Sequence, residues 1–306
     1  MEAAAGAEWR DVLRGRGAAA EAVLARAAEL RGAALARAVD LKRAAGLSAD
    51  PLLPTTRGAP PLPPSAAFDV RIAGSGFLSL YFLGAYTILD GACELARFAG
   101  ASSGAQMPME LILLGTSRAL DVYYANALLQ EAAPCRTLAG GAWRADAHWK
   151  DLADHLFEAG GAASKLSGRC FAAVTRLTLR GPRGKLYGEY PSDDVARSVF
   201  YATGTLLTKV EGYYCTDGGV VDACPDLPPT EAAEGHLGQL ICRPTKLAGV
   251  SLSRAVRFTA AEATEVVNQG QDDICELIRQ AAASKWSEPV TVAGGALAFV
   301  PARRRP

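Results

Sequence analysis

A serine lies at the centre of a glycine-flanked pentapeptide, Gly100-Ala101-Ser102-Ser103-Gly104. The pattern Gly-x-Ser-x-Gly is typical of a nucleophile elbow, a sharp turn from a strand into a helix that exposes the serine hydroxyl. Glycines on either side allow the backbone to bend that tightly. We therefore expect Ser102 to be a nucleophile, with Gly100 and Gly104 as motif glycines and Ser103 as the first helical residue.

A second segment, Asp217-Gly218-Gly219, offers a group that could take the proton of Ser102. It follows the strand candidate "VEGYYCT", so the carboxylate comes at a strand end. The two glycines leave room for a neighbouring group to approach closely, and a positioned aspartate can act as a general base for a serine. We expect Asp217 to be the proton acceptor.

A third glycine-bearing turn, Gly74-Ser75-Gly76, follows the first strand candidate and precedes a helix. Backbone N–H groups at a helix start lack intrahelical partners and can hold an anion or a developing oxyanion. This turn is therefore a candidate oxyanion site, to which the N–H of Ser103 could add a donor.

The chain has only three histidines, of which His236 follows Ser102 and Asp217 in the order typical of α/β-hydrolases. An esterase with His236 as its base is therefore an alternative. Against it, only one helix separates the glycine turn from the strand before Ser102, whereas an α/β-hydrolase places more of its sheet there. His236 also lies in "EAAEGHLGQ", which indicates a polar loop and a solvated side chain.

Taken together, the three turns resemble the patatin-like phospholipase family, and most closely its triacylglycerol-lipase-like branch. The stretches "FDVRIAGSGFLSLYFLGAYTIL" and "FAGASSGA" carry the resemblance best, and the match runs from about Phe68 to Ala283. In that family a glycine-rich oxyanion loop follows the first strand, Gly-x-Ser-x-Gly comes one helix later, and Asp-Gly-Gly or Asp-Gly-Ala supplies the second catalytic group.

The resemblance implies a three-layer α/β/α fold and a Ser-Asp dyad that needs no catalytic histidine, metal or cofactor. Ser102 would be the acyl nucleophile and Asp217 its base, and Gly218 and Gly219 would be motif glycines. The N–H groups of Gly74, Ser75, Gly76 and Ser103 would hold the oxyanion. The implied activity is hydrolysis of carboxylic esters of glycerolipids, of the triacylglycerol lipase or phospholipase A type.

Two positions depart from the family pattern. Ser79 stands where the oxyanion loop usually has its last glycine, and a side chain there could force a different backbone angle. Pro108 lies six residues past Ser102, and proline inside a helix removes a hydrogen bond and can kink the helix. These departures motivate a second alternative, a catalytically impaired patatin-like protein that binds lipid.

Strand and helix patterns alternate through most of the chain, which indicates an α/β class with a mostly parallel central sheet flanked by helices. "RCFAAVTRLTLRG" and "KLYGEYPS" predict two strands joined by a turn at 181–184. "SDDVARSVFYATG" predicts a helix with a serine cap. "LAGVSLS" predicts a strand, and "TAAEATEVVNQGQDDICELIRQAA" a long helix.

The N-terminal part has a different composition. Apolar residues recur at helical spacing over 7–46, so we expect a helical extension over 1–47 that docks on the main domain or on a protein partner. A helix on a membrane surface is the alternative, against which its nearly balanced charges argue. Residues 48–67 are rich in proline, which predicts a linker. The acyl hydrolase domain is expected over 68–301.

The net charge is zero, with 32 basic and 32 acidic residues, which argues against a nucleic-acid partner. The seven cysteines show no C-x-x-C spacing, so we expect reduced thiols and no zinc or redox site. No signal peptide or apolar membrane span is evident. We expect a cytoplasmic protein whose lipid substrate brings it into peripheral contact with a membrane or lipid droplet.

Overall fold

The computed structural model describes residues 62–115, 153–154, 156–205, 207–229, 235–247 and 260–302. The α-helices are α1 Leu80–Leu89, α2 Ser103–Leu114, α3 Ala162–Leu166, α4 Asp193–Gly204 and α5 Ala260–Ala283. The strands are β1 Ala67–Ile72, β2 Glu94–Ala101, β3 Cys170–Thr178, β4 Gly181–Tyr187, β5 Thr208–Val210, β6 Tyr213–Asp217, β7 His236–Cys242, β8 Val290–Val292 and β9 Leu297–Pro301.

The helical extension predicted over 1–47 and most of the linker over 48–67 lie outside the described residues. The strand predicted at "LAGVSLS" also falls outside them, apart from its first residue. None of the described helices has the length and hydropathy of a bilayer-spanning segment.

One mixed sheet contains all nine strands of the described residues, in the order β5-β6-β3-β2-β1-β7-β9-β8, with β4 also paired to β3. The central strands β3, β2, β1 and β7 run parallel to one another. The outer pairings are antiparallel. The predicted α/β class with a largely parallel centre is confirmed, since helical crossovers join parallel strands and hairpins join antiparallel ones.

Two hairpins differ from the turns expected from the sequence. The β3–β4 chain reversal lies at Leu179–Arg180, and the segment 181–184, predicted as the turn, belongs to β4. Pro182 is tolerated there because β4 is an outer strand. The segment "VEGYYCTD", read as one strand and a turn, contains a second hairpin, in which Glu211 and Gly212 have φ of 49° and 82° between β5 and β6.

Helices α1, α2 and α5 pack on one face of the sheet. Phe82 of α1 contacts Phe98 of β2, and Trp286, just after α5, contacts Phe68 of β1. A Cβ on Gly100, which shares the Phe98 face, would overlap the backbone of α2. On the opposite face the described chain contributes the segment 222–229, so the three-layer arrangement stays a prediction.

The opposite face of β1 and β2 carries a buried ion pair. Arg97 donates to both carboxylate oxygens of Asp69, at 3.0 and 2.5 Å, and its third contact is the Pro228 carbonyl at 2.9 Å. The Asp69 side chain is 3% exposed. A buried carboxylate is tolerated when it is paired and hydrogen-bonded, as it is here.

Candidate active site

Ser102 occupies a strained turn between β2 and α2. β2 ends at Ala101, α2 begins at Ser103, and Ser102 between them has φ 54° and ψ −138°, a conformation that residues other than glycine rarely adopt. A Cβ on Gly104 would lie 2.5 Å from the Ile72 carbonyl oxygen, so only glycine fits there. This is the strand, turn and helix arrangement that the Gly-x-Ser-x-Gly pattern predicts.

Strand β3 brings Asp217 to Ser102. Along β3, Ala173 pairs with Ala101 at the end of β2, and the next residue, Val174, pairs with Asp217 at the end of β6. β4 pairs with β3 at these same positions and therefore occupies the other edge. β2 and β6 therefore pair with the same edge of β3, and their last residues lie opposite neighbouring β3 residues.

In this arrangement the Ser102 hydroxyl donates a short hydrogen bond to Asp217 Oδ1. The N–H of Gly219 donates to the same oxygen at 2.7 Å. A Cβ on Gly218 would overlap the Ala173 carbonyl, and one on Gly219 would lie 3.0 Å from Ser102 Oγ. The two glycines therefore supply both the space and one of the hydrogen bonds that fix the carboxylate.

Burial raises the pKa of Asp217 above its ordinary value of 3.8, although the hydrogen bonds from Ser102 and Gly219 act in the opposite direction. Desolvation disfavours the charged carboxylate and so increases its affinity for a proton. A more basic carboxylate at hydrogen-bond distance from a serine hydroxyl is suited to general base catalysis.

The glycine turn lies directly against the serine, since a Cβ on Gly74 would be 2.6 Å from Ser102 Oγ. Two of the four N–H groups predicted as oxyanion donors already have acceptors. The N–H of Gly74 donates to the Ala223 carbonyl at 2.9 Å, and that of Ser75 donates to Ser103 Oγ at 3.2 Å.

The remaining two predicted donors are Gly76 and Ser103. Within the described residues no acceptor is present for either backbone N–H. Gly76 has φ 58° at the start of a 3-10 turn, Gly76–Ser79, and Ser103 is the first residue of α2. N–H groups at these positions have no intrahelical partner, so they are free for a developing oxyanion.

The side chains of Ser103 and Ser75 have features that the sequence-based interpretation missed. Ser103 was expected to contribute only its backbone, but its hydroxyl accepts the Ser75 N–H and ties the glycine turn to the elbow. The Ser75 hydroxyl is buried and has no hydrogen-bond partner in the described part of the chain. The only feature of the sequence that could have indicated the contact between Ser103 and Ser75 is the presence of a second serine next to Ser102.

Neither departure from the family pattern interrupts the local secondary structure. Ser79 has φ −56° and ψ −19°, an ordinary right-handed helical conformation that needs no glycine. The altered backbone angle expected at Ser79 is therefore absent. Helix α2 continues through Pro108 to Leu114, so the proline removes the helical donor to the Gly104 carbonyl without ending the helix.

His236 is excluded as the base for Ser102. It is the first residue of β7, where it pairs with Ala67 at one end of β1, and the other end of β1, Ile72, pairs with Gly100 beside the elbow. Five strand residues separate these ends, about 17 Å at roughly 3.3 Å per residue. The polar loop and solvated side chain expected for His236 are also wrong, because the side chain is 11% exposed, with Nε2 3.4 Å from Asp69 Oδ2.

The segment after Asp217 is fastened beside the glycine turn. Arg71 of β1 donates from Nε to the Pro225 carbonyl at 3.0 Å and from a terminal nitrogen to the Cys224 carbonyl at 2.8 Å. Together with the Gly74 to Ala223 hydrogen bond, these contacts fix the chain that follows Asp217. The sequence held no signal for this role of Arg71.

The described residues hold no cluster of three or more metal-ligating side chains. The six cysteines among them form no disulfide bond with one another, and Cys170, Cys215, Cys242 and Cys275 are buried. That the thiols are reduced stays a prediction.

No protein-family model matches the chain, and a search of the curated proteins finds no match. What the site can do therefore follows from its own geometry, together with the resemblance of its three turns to the patatin-like phospholipases.

Proposed function

We propose that the protein is a patatin-like lipid acyl hydrolase that cleaves carboxylic esters of glycerolipids. The observation that carries this proposal is the hydrogen bond from the Ser102 hydroxyl to Asp217 on a strained elbow. A half-buried carboxylate with a raised pKa, in direct contact with a half-buried serine on a strained turn, is the arrangement that activates a serine nucleophile.

In the proposed mechanism Ser102 Oγ attacks the ester carbonyl carbon while its proton passes to Asp217. The N–H groups of Gly76 and Ser103 stabilise the oxyanion. Asp217 returns the proton to the departing alcohol, leaving an acyl-enzyme. It then takes a proton from water, whose oxygen attacks the acyl carbon, and the proton returns to Ser102 as the fatty acid leaves.

The class of substrate comes from the resemblance. Patatin-like phospholipases and their triacylglycerol-lipase-like branch act on glycerolipids, so both triacylglycerols and phospholipids are substrates to test. The proposal includes the hydrolase domain over 68–301 and a cytoplasmic protein in peripheral contact with lipid. The N-terminal helices would contact the main domain or a protein partner.

Fluorophosphonate labelling tests the proposal, because such probes react with an activated serine. We expect the wild type to be labelled and to hydrolyse short-chain and lipid esters, and Ser102→Ala and Asp217→Asn to lose both properties. Matched controls are Ser164→Ala and Asp222→Asn, which change an exposed serine and an exposed aspartate. Hydrolysis that survives in both active-site variants would refute the dyad.

One observation favours the alternative of a lipid-binding protein with impaired catalysis. The N–H groups of Gly74 and Ser75 donate inside the protein, which leaves only Gly76 and Ser103 of the four expected donors. In that case the wild type would bind lipid vesicles but show neither labelling nor ester hydrolysis above the Ser102→Ala level.

A further inference from the structure

Two hairpins extend beyond the end of the central strands at which Ser102 lies. β2 ends at Ala101, opposite Ala173, but β3 continues to Thr178 and turns at Leu179. Six residues at roughly 3.3 Å each carry the β3–β4 turn about 20 Å past the end of β2. The β5–β6 hairpin pairs with this extension, because Arg176 of β3 lies opposite Cys215 of β6.

These hairpins and the segment after Asp217 expose large apolar side chains. Leu179 at the turn is fully exposed, and the others are between 43% and 63% exposed. We name this set the hairpin surface: Leu177, Leu179, Leu207, Tyr214, Val220 and Val221. Neighbouring exposed apolar residues of this kind mark an interaction site more often than scattered ones do.

Much of the hairpin surface lies on one face of the extended strands. The register that pairs Arg176 with Cys215 places Leu177 beside Tyr214 on the opposite side of the sheet. Gly184 pairs with Thr175 and shares that side, and a Cβ there would lie 3.2 Å from Val221. Leu177, Tyr214 and Val221 therefore face the same way.

The same hairpins carry most of their charge as cations. Residues 176–187 and 207–214 contain five basic residues and one acidic residue, Glu211, although the whole chain is neutral. Arg176 pairs with Glu211 at 2.9 Å. The other four, all exposed, have no ion-pair partner among the described residues: Arg180, Arg183, Lys185 and Lys209.

The hairpin surface also adjoins the proposed catalytic site. Val220 and Val221 follow Asp217-Gly218-Gly219 directly, and the backbone of Gly219 lies against Ser102. A partner that covers these valines would therefore lie at the entrance to the dyad.

We propose that the protein docks on an anionic phospholipid bilayer through the tip of the hairpin surface, with Leu179 inserted at the interface and the four cations, on both sides of the hairpins, at the level of the headgroups. Exposed leucine and tyrosine side chains beside lysine and arginine favour this occupant, because apolar burial and attraction to anionic lipids act together at a membrane surface. The choice of lipid rests on the proposed function, while the place and sign of the surface rest on the hairpins themselves.

Vesicle flotation with the full chain tests this docking. We expect the protein to float with vesicles that contain phosphatidylserine and to bind poorly to phosphatidylcholine alone. The double variant Lys185→Gln/Lys209→Gln loses two cations and should bind roughly 30-fold more weakly. This follows because each cation near an anionic surface contributes about 1 kcal/mol of binding free energy. Leu179→Ser should weaken it roughly tenfold through lost apolar burial.

The matched controls are Lys165→Gln/Arg279→Gln and Val300→Ser, which remove exposed cations and an exposed apolar side chain away from the hairpins. They should bind as the wild type does. Equal binding by the hairpin variants and the wild type would overturn the proposal. It would also be overturned if the wild type formed a stable dimer that did not bind vesicles and that dissociated in Leu179→Ser.

Hydrolysis of a water-soluble short-chain ester separates this docking from the catalytic proposal. Hairpin variants should keep the wild-type rate on that substrate, since their side chains do not contact the dyad. If the wild type hydrolyses no ester but still floats through the hairpin surface, the docking proposal stands and the catalytic one fails. If the wild type hydrolyses the ester but the hairpin substitutions leave flotation unchanged, the catalytic proposal stands and the docking proposal fails.

Discussion

The elbow helix contains a buried carboxyl whose ionisation should control the alkaline stability of the protein. Glu110, in α2, is 6% exposed, and burial raises its pKa to about 8. No ion pair of the described residues includes it. The amide variant Glu110→Gln keeps the shape of the side chain and removes the ionisation.

The size of the effect follows from the two pKa values. Below an ordinary pKa of 4.5 both the folded and the unfolded states hold the proton, and Glu110 has no pH-dependent cost. As the pH rises the unfolded state releases the proton first, so the free energy of unfolding falls until the folded state also ionises. At about 1.4 kcal/mol per pH unit the cost is about 3 kcal/mol at neutral pH and about 5 kcal/mol above pH 8, as orders of magnitude.

Urea unfolding at a series of pH values measures this cost. The unfolding free energies of wild type and Glu110→Gln should be close near about pH 4.5 and diverge as the pH rises, with the variant more stable by several kcal/mol above about pH 8. Glu189→Gln, at an exposed position, should follow the wild type. If wild type and Glu110→Gln give parallel curves over this range, burial of Glu110 does not affect its ionisation and the reasoning is wrong.

Three further outcomes are expected. Ser102→Gly should be more stable than Ser102→Ala by about 1 kcal/mol in thermal or urea unfolding, because glycine adopts the positive φ without strain; equal stability would mean that the turn is relaxed. The rate of ester hydrolysis should fall as the pH drops through the raised pKa of Asp217, because only the ionised carboxylate accepts a proton. The acidic limb of the pH–rate profile should therefore lie above pH 3.8. A rate that stays constant down to that pH would argue against Asp217 as base. Gly84→Ala should destabilise by roughly 1–3 kcal/mol, because its Cβ would overlap the Val267 backbone where α1 packs on α5; unchanged unfolding would show that the two helices can separate.

The elements that carry their own local signals were predicted from the sequence. The alternation of strand and helix patterns around Ser102 predicted β1, α1 and β2, and a serine before two aspartates predicted the start of α4. Ser192 does cap that helix, accepting the Val195 N–H at 3.3 Å. Such signals lie within a few residues of the feature they specify.

The parts that were missed depend on partners far away in sequence. β7 begins with His236 and contains Gly238, residues that are typical of a polar loop. The strand nevertheless pairs with β1 in the middle of the sheet. β8 and β9 are short and follow a helix with no strong alternation. The contact between Ser75 and Ser103 joins residues 28 positions apart, and no single local pattern predicts it.

The pairing of Asp217, at the end of β6, with β3 has a consequence for the order of folding. Ser102 and its elbow arise from β1, α1, β2 and α2, which are consecutive in the chain, whereas Asp217 lies 115 residues further on and reaches Ser102 only when β6 has paired with β3. Contacts between distant segments form slowly because a long loop must close first. During refolding, helical structure should therefore return before the serine becomes reactive, and recovery of labelling at Ser102 would time the completion of the sheet.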